Sequence, residues 1–238
     1  MIHPDVICCF GPPKTGTTWL YDDLVLDNNF NSFYDIKEIN IWSKWSPSHL
    51  PEDEWRHNPL HSEEEYFTAI KNSDKPILDF TLCYKEALME PDNVKRFTDK
   101  FNVTFICILR DPVEILISAI NSLNMYGLIT NSKKPEPMEQ LLNLKYNNGL
   151  NHFFGLAKYS EWLPSWDNYN IKYLDYARFS DTKYINKTLG IDIEYPVATS
   201  NVTKNKKLRK DRMNPDTLKV LENFYKKDLD YIMALKDK

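Results

Sequence analysis

The chain has 238 residues and a formal net charge of −4, with 42% hydrophobic and 27% charged residues. Such a length suits one domain with a sizeable core, and the mix is ordinary for a folded globular protein. The acidic balance argues against broad nucleic-acid binding, and no apolar run approaches the roughly 18 residues of a membrane span. The N-terminal MIHPDVICCFG lacks the basic start and cleavage site of a signal peptide, so a cytoplasmic protein is expected. Cys8, Cys9, Cys83 and Cys107 lie in or beside apolar runs, with no CxxC pair or His cluster. They read as small buried hydrophobes in a reducing compartment, and no metal site is expected.

The first element is Val6-Ile7-Cys8-Cys9-Phe10, whose unbroken hydrophobicity reads as a strand buried on both faces. Gly11-Pro12-Pro13-Lys14-Thr15-Gly16-Thr17-Thr18 follows as a tight turn, and a helix then carries Leu20 and Leu24 inward. Strand, turn and helix in that order aim backbone N–H groups at an anion. Two of the six glycines lie in this one loop, which reads as a phosphate cradle. Gly11 and Gly16 keep the spacing of GxxxxGK[ST], but Thr17 stands where that motif has lysine. Lys14 sits inside the loop instead, placed to reach the middle of a phosphate ester.

Phe30 to Asn40 leads into an irregular stretch with Trp42, Trp45 and Trp55, broken by Pro47 and Pro51. Those tryptophans suit either stacking on an acceptor ring or packing. Ser62 to Glu65 is a capping box for a helix to about Asn72, with Tyr66, Phe67 and Ile70 inward. Lys75-Pro76 ends it, Ile77 to Phe80 reads as a strand, and Pro91 starts a short helix. Asp79 and Thr81 either line an acceptor pocket or cap the strand end. Val103 to Leu109 is the clearest buried strand; Arg110-Asp111-Pro112 ends it, and Val113 to Met125 continues as a helix.

Gly127 to Pro137, polar and broken by two prolines, reads as a surface loop or a lid, followed by helical sequence interrupted near Asn147-Asn148-Gly149. Ile171 to Tyr176 is a last strand. The basic segment Lys204 to Arg212 precedes a C-terminal helix from about Pro215, with Leu218, Leu221, Phe224, Leu229 and Ile232 on one face. Strands alternating with helices predict an α/β fold: a mainly parallel sheet flanked by helices. We expect one domain over residues 1–238, with a helical C-terminal region from about 213.

PKTGTTWL resembles the loop of the sulfotransferases, which holds the 5′-phosphosulfate of 3′-phosphoadenosine 5′-phosphosulfate (PAPS). The resemblance continues at ILRDPVEILISAINS, where Arg110 and Ser118, eight residues apart, match the pair that holds the 3′-phosphate. It implies a P-loop-like architecture and a nucleotide site of Lys14, Thr15, Gly16, Thr17, Thr18, Trp19, Arg110 and Ser118. In the family a basic segment closes over the 3′-phosphate, which here implies Lys206, Lys207 and Arg209. Lys37-Glu38 is similar to the Lys-Glu pair of the carbohydrate-modifying branch: Glu38 as the base, Lys37 as an assisting cation. Ser48-His49-Leu50-Pro51 looks like the histidine segment of the cytosolic branch, at a spacing that ranks His49 second.

The activity implied is metal-independent sulfonate transfer from PAPS to an acceptor hydroxyl on a sugar, lipid or small molecule, leaving 3′,5′-adenosine bisphosphate. The alternatives are a P-loop nucleotide kinase, disfavoured by the lysine absent after Gly16, and a catalytically idle nucleotide-binding module. The residues leave the acceptor and the oligomeric state open.

Overall fold

A computed structural model describes residues 5–26, 29–33, 37, 39, 62–81, 91–125, 155, 157–193 and 209–236. Their contacts group the chain into two compact units: Met1–Gly11, Gly16–Ile108 and Ser165–Thr199, and Pro12–Thr15, Leu109–Pro164 and Ser200–Lys238.

The first unit holds the sheet. Its strands are β1 (Val6–Phe10), β2 (Asn31–Ser32), β3 (Ile77–Asp79), β4 (Val103–Leu109) and β5 (Ile171–Asp175), in the order β2-β3-β1-β4-β5. β1 pairs in parallel with β3 and with β4, Val6 standing opposite Ile77 on one side and Val103 on the other. β1 is therefore central, and all five of its residues are buried. Its alternate side chains serve two cores. Ile7 and Cys9 join Leu20, Leu24, Leu78, Phe80, Ile106 and Ile108. Phe10 stacks on Trp166, ring centroids 4.0 Å apart, with Phe105 edge-on to both. Cover on both faces is why the run is apolar without alternation.

Helix α1 spans Thr17–Leu26 and α2 spans Glu63–Asn72, the latter opened by Ser62 and Glu65 in a reciprocal capping box. α3 (Pro91–Thr98) packs aromatic against aromatic on α2, with Phe67 and Phe97 stacked at 6.2 Å. α4 is Pro112–Met125 and α5 is Tyr159–Trp162. α6, Thr182–Leu189, and the two-residue β2 were not anticipated from the sequence.

The second unit corrects the C-terminal helix. Two helices stand there, α7 (Pro215–Phe224) and α8 (Lys226–Lys236). The buried positions Thr217, Leu221, Tyr225, Asp228, Ile232 and Leu235 form one face at helical spacing that carries on through the break at Tyr225. Tyr225 is fully buried, whereas Phe224, expected inward, is 51% exposed. Leu221 and Ile232 are buried as expected. No helix among the described residues is long and apolar enough to cross a membrane.

Cys8, Cys9 and Cys107 are buried and free, as expected of small apolar side chains. Burial pushes the Cys9 thiol from an ordinary 9.0 up to about 12; the nearby Lys37 ammonium opposes this, and Asp79 adds to it. A thiol that ionises later in the folded than in the unfolded state stabilises the fold below pH ~9 and ceases to do so towards pH ~12. The denaturation midpoint should hold from pH 7 to about 9 and fall above it, less steeply in Cys9→Val. Alkylation of the native protein near pH 8 should leave all three of these residues unmodified by peptide mass mapping; modification of Cys9 would contradict this burial.

Candidate phosphate-loop site

Parallel strands β1 and β4 are neighbours, with Phe10 opposite Cys107, and β1 has β3 on its other side. The chain order therefore switches direction at β1 and β4, and ligands of open α/β sheets collect at the carboxyl ends of strands beside such a switch. Two segments leave those ends: the loop from Gly11 to Gly16 and the turn at Arg110-Asp111.

The loop turns through positive φ three times, at Gly11 (127°), Lys14 (66°) and Gly16 (94°). Lys14 is the one non-glycine with positive φ among the described residues. A left-handed L-residue costs about 1–2 kcal/mol, so its neighbours must hold it there. Thr15, itself buried, donates its hydroxyl to the Pro12 carbonyl at 2.9 Å, tying the loop across its middle. At Gly16 a Cβ would fall 2.9 Å from Cε2 of Tyr176 and 3.1 Å from Cε2 of Phe179, so only glycine fits.

In α1 the Leu20 N–H donates to the Gly16 carbonyl at 3.0 Å. The amides of Thr17, Thr18 and Trp19 precede that bond and form the positive end of the helix dipole. Thr17 is buried and Thr18 exposed. Trp19 packs its rings against Phe179 at 5.4 Å. Its indole N–H is buried and has no hydrogen-bond partner among the described residues.

Within the second unit a guanidinium meets the loop residue Lys14. Arg110 donates from Nη1 to the carbonyl of Lys14 at 2.5 Å and from Nε to the Glu114 carboxylate at 3.3 Å. Its side chain is only 11% exposed. The Arg110 backbone N–H donates to the hydroxyl of buried Tyr159 at 3.2 Å. Asp111 caps α4, its carboxylate accepting from the Val113 N–H at 2.8 Å, and Pro112 takes the first helical position. Ser118, half-buried, lies two turns along α4.

Lys210 Nζ donates to Asp111 at 2.7 Å and lies 3.2 Å from Glu222. Partial burial pulls its pKa down, but the hydrogen bonds and charges of Asp111 and Glu222 prevail and raise it. Of the basic segment, Arg209 is exposed and pairs with Asp211 at 3.3 Å. Tyr159 and Lys210 are therefore in contact with the Arg110-Asp111 turn although neither was among the expected site residues. A basic run was the only signal for Lys210, and Tyr159 had none.

Lys37 belongs to the first unit. Its carbonyl accepts the Phe80 N–H at 3.0 Å, and its charge is felt at Cys9 and at Asp22, whose carboxyl burial pushes up and Lys37 partly restores. Asp79 is fully buried, accepting from the hydroxyls of Tyr66 at 2.9 Å and Thr81 at 2.6 Å. These contacts anchor α2 to the end of β3. Glu38, His49, Lys206, Lys207, Cys83 and the tryptophans Trp42, Trp45 and Trp55 lie outside the described residues.

A positive-φ loop at the end of a central parallel strand, followed by a helix N-terminus, is the arrangement of a P-loop-like α/β protein. Residues 4–184 match the sulfotransferase domain model, and the chain belongs to that family. Among solved structures it is similar to a sulfotransferase from Alicyclobacillus acidocaldarius, at 17% identity and a TM-score of 0.69, with 99% of this chain and 96% of the other covered. It is also similar to the sulfotransferase domain from the curacin biosynthetic pathway, at 13% identity and a TM-score of 0.50, covering 82% and 76%. No match was found among curated protein sequences. The protein is thus an enzyme of sulfonate transfer, on the expected α/β fold.

The loop geometry sets opposite stability effects for two substitutions. Gly16→Ala should lower unfolding free energy by roughly 2–4 kcal/mol, from steric overlap plus an unfavourable φ. Lys14→Gly should leave stability unchanged or raise it by about 1 kcal/mol, since glycine accepts φ 66° without strain. Urea denaturation of the two variants reads both.

Proposed function

We propose that this sulfotransferase takes its sulfonate from PAPS and delivers it to an acceptor hydroxyl by in-line displacement without a metal ion. The observation that carries this reading is an ammonium-bearing residue held left-handed at the middle of the loop, with threonine where a kinase loop has lysine. Two further features fit a phosphorylated ligand: the α1 amides with no earlier helical partner, and the buried Trp19 N–H.

In this reading the amides of Thr15, Gly16, Thr17 and Thr18 and the Lys14 ammonium hold the 5′-phosphosulfate, with Trp19 beside them. Arg110 and Ser118 fix the 3′-phosphate, a task suited to a guanidinium fork and a hydroxyl. Lys206, Lys207 and Arg209 close over that end. PAPS supplies an activated sulfonate: a bond forms from the acceptor oxygen to sulfur as the bond from sulfur to the 5′-phosphate oxygen breaks. Lys14 stabilises the charge left on that phosphate oxygen, and 3′,5′-adenosine bisphosphate departs. Glu38 takes the hydroxyl proton with Lys37 as the assisting cation. The acceptor is a sugar, lipid or small molecule carrying a hydroxyl.

Labelled-sulfate transfer from PAPS to pooled acceptors tests the reading. Wild type should transfer label in EDTA, and Lys14→Ala should lower the rate by at least about 10²-fold. Glu38→Gln should lose turnover while keeping affinity for the bisphosphate. Full activity in Lys14→Ala would falsify the role given to that ammonium; full activity in Glu38→Gln together with none in His49→Ala would move the base to His49.

A further inference from the structure

In the second unit Arg110 is bonded to the loop itself. Its Nη1 donates to the backbone carbonyl of Lys14, the residue whose left-handed φ has to be held by something outside itself. The guanidinium is steered from the other end by Glu114, one helical turn along α4, through Nε. Its backbone is fixed twice over. The Arg110 N–H meets the Tyr159 hydroxyl, and the next residue, Asp111, is both the cap of α4 and the partner of Lys210. Tyr159 is secured in turn. The neighbouring Ser160 donates from its N–H and its hydroxyl to buried Asp228 of α8, at 2.9 and 2.7 Å. A rigid guanidinium on a neutral carbonyl forms a charge-assisted hydrogen bond in a largely water-excluded place, a stronger link than a neutral pair.

We propose that Arg110 is a positioning residue for the phosphate loop: by gripping the Lys14 carbonyl it holds that residue left-handed and so sets where the Lys14 ammonium points. This rests on the nucleotide reading above and goes beyond it. In that reading Arg110 serves only the 3′-phosphate. Here it also acts on the 5′ end, through the protein, whether or not the ligand carries a 3′-phosphate. Lysine at position 110 keeps the charge and loses the planar fork that reaches both Glu114 and the loop.

Two measurements on the 238-residue chain separate the possibilities, using wild type, Arg110→Ala, Arg110→Lys and Glu114→Gln, each first checked for native circular dichroism. The first is hydrogen exchange of the ligand-free proteins at the amides of Lys14, Thr15 and Gly16. Exchange there should accelerate about tenfold or more in Arg110→Ala and in Arg110→Lys, and less in Glu114→Gln. Unchanged exchange in both Arg110 variants overturns the proposal, whatever nucleotides do.

The second is calorimetric titration with adenosine 5′-phosphate, which lacks the 3′-phosphate, alongside adenosine 3′,5′-bisphosphate. The proposal expects Arg110→Ala to lose about tenfold or more in affinity for both. Loss confined to the bisphosphate means that Arg110 serves the 3′ end alone, and overturns it. A wild type that binds neither nucleotide defeats the nucleotide reading, and the exchange data then decide the loop brace by themselves.

Discussion

The Arg110 guanidinium bonded to the Lys14 carbonyl is the contact on which the chemistry proposed for this loop depends. Without a partner, a lysine at φ 66° would drift toward right-handed or extended backbone, since those conformations are more stable by about 1–2 kcal/mol. A charge-assisted hydrogen bond contributes about 1.5–3 kcal/mol, enough to hold the unfavourable conformation. If Lys14 has the role proposed for it, lysine at this position trades stability for function. Glycine would satisfy the backbone better, but it brings no ammonium.

The sheet explains why this contact is possible. Because β1 and β4 are adjacent and parallel, the segments leaving their carboxyl ends begin as neighbours. The core sets each segment's starting direction. Phe10, the last residue of β1, is locked between Trp166 and Phe105, and Asp111 starts α4 directly after the Arg110 turn. Gly16 itself sits against Tyr176 and Phe179 at a distance that admits no side chain. In the proposed mechanism such preorganisation would matter because charge builds on a leaving oxygen only near the transition state, and a cation already in place need not reorganise.

Local signals made much of this legible. β4 was readable to the residue because a β-branched apolar run stops at Arg110-Asp111-Pro112. The capping box of α2 and the strand-loop-helix order at Gly11 to Gly16 are likewise written within a few consecutive residues. What escaped lies in long-range or marginal features. β2 has two residues and no pattern to detect. The break at Tyr225 leaves the spacing of the buried face unchanged, so the sequence there would continue one helix equally well. Tyr159 meets Arg110 across 49 residues and Lys210 meets Asp111 across 99, separations at which no spacing rule operates. The left-handed φ of Lys14 was equally hidden, because nothing about lysine announces it.

The loop is proposed to hold a nucleotide phosphorylated at both ends without a metal. Calorimetry of the wild-type protein in EDTA, with adenosine 3′,5′-bisphosphate as titrant and ATP with magnesium as the comparison, addresses it most directly. The bisphosphate is expected to bind saturably, one to one and without metal, at least about tenfold tighter than the magnesium–ATP complex. Binding of the bisphosphate only when a divalent cation is added, or a preference for magnesium–ATP, would contradict it.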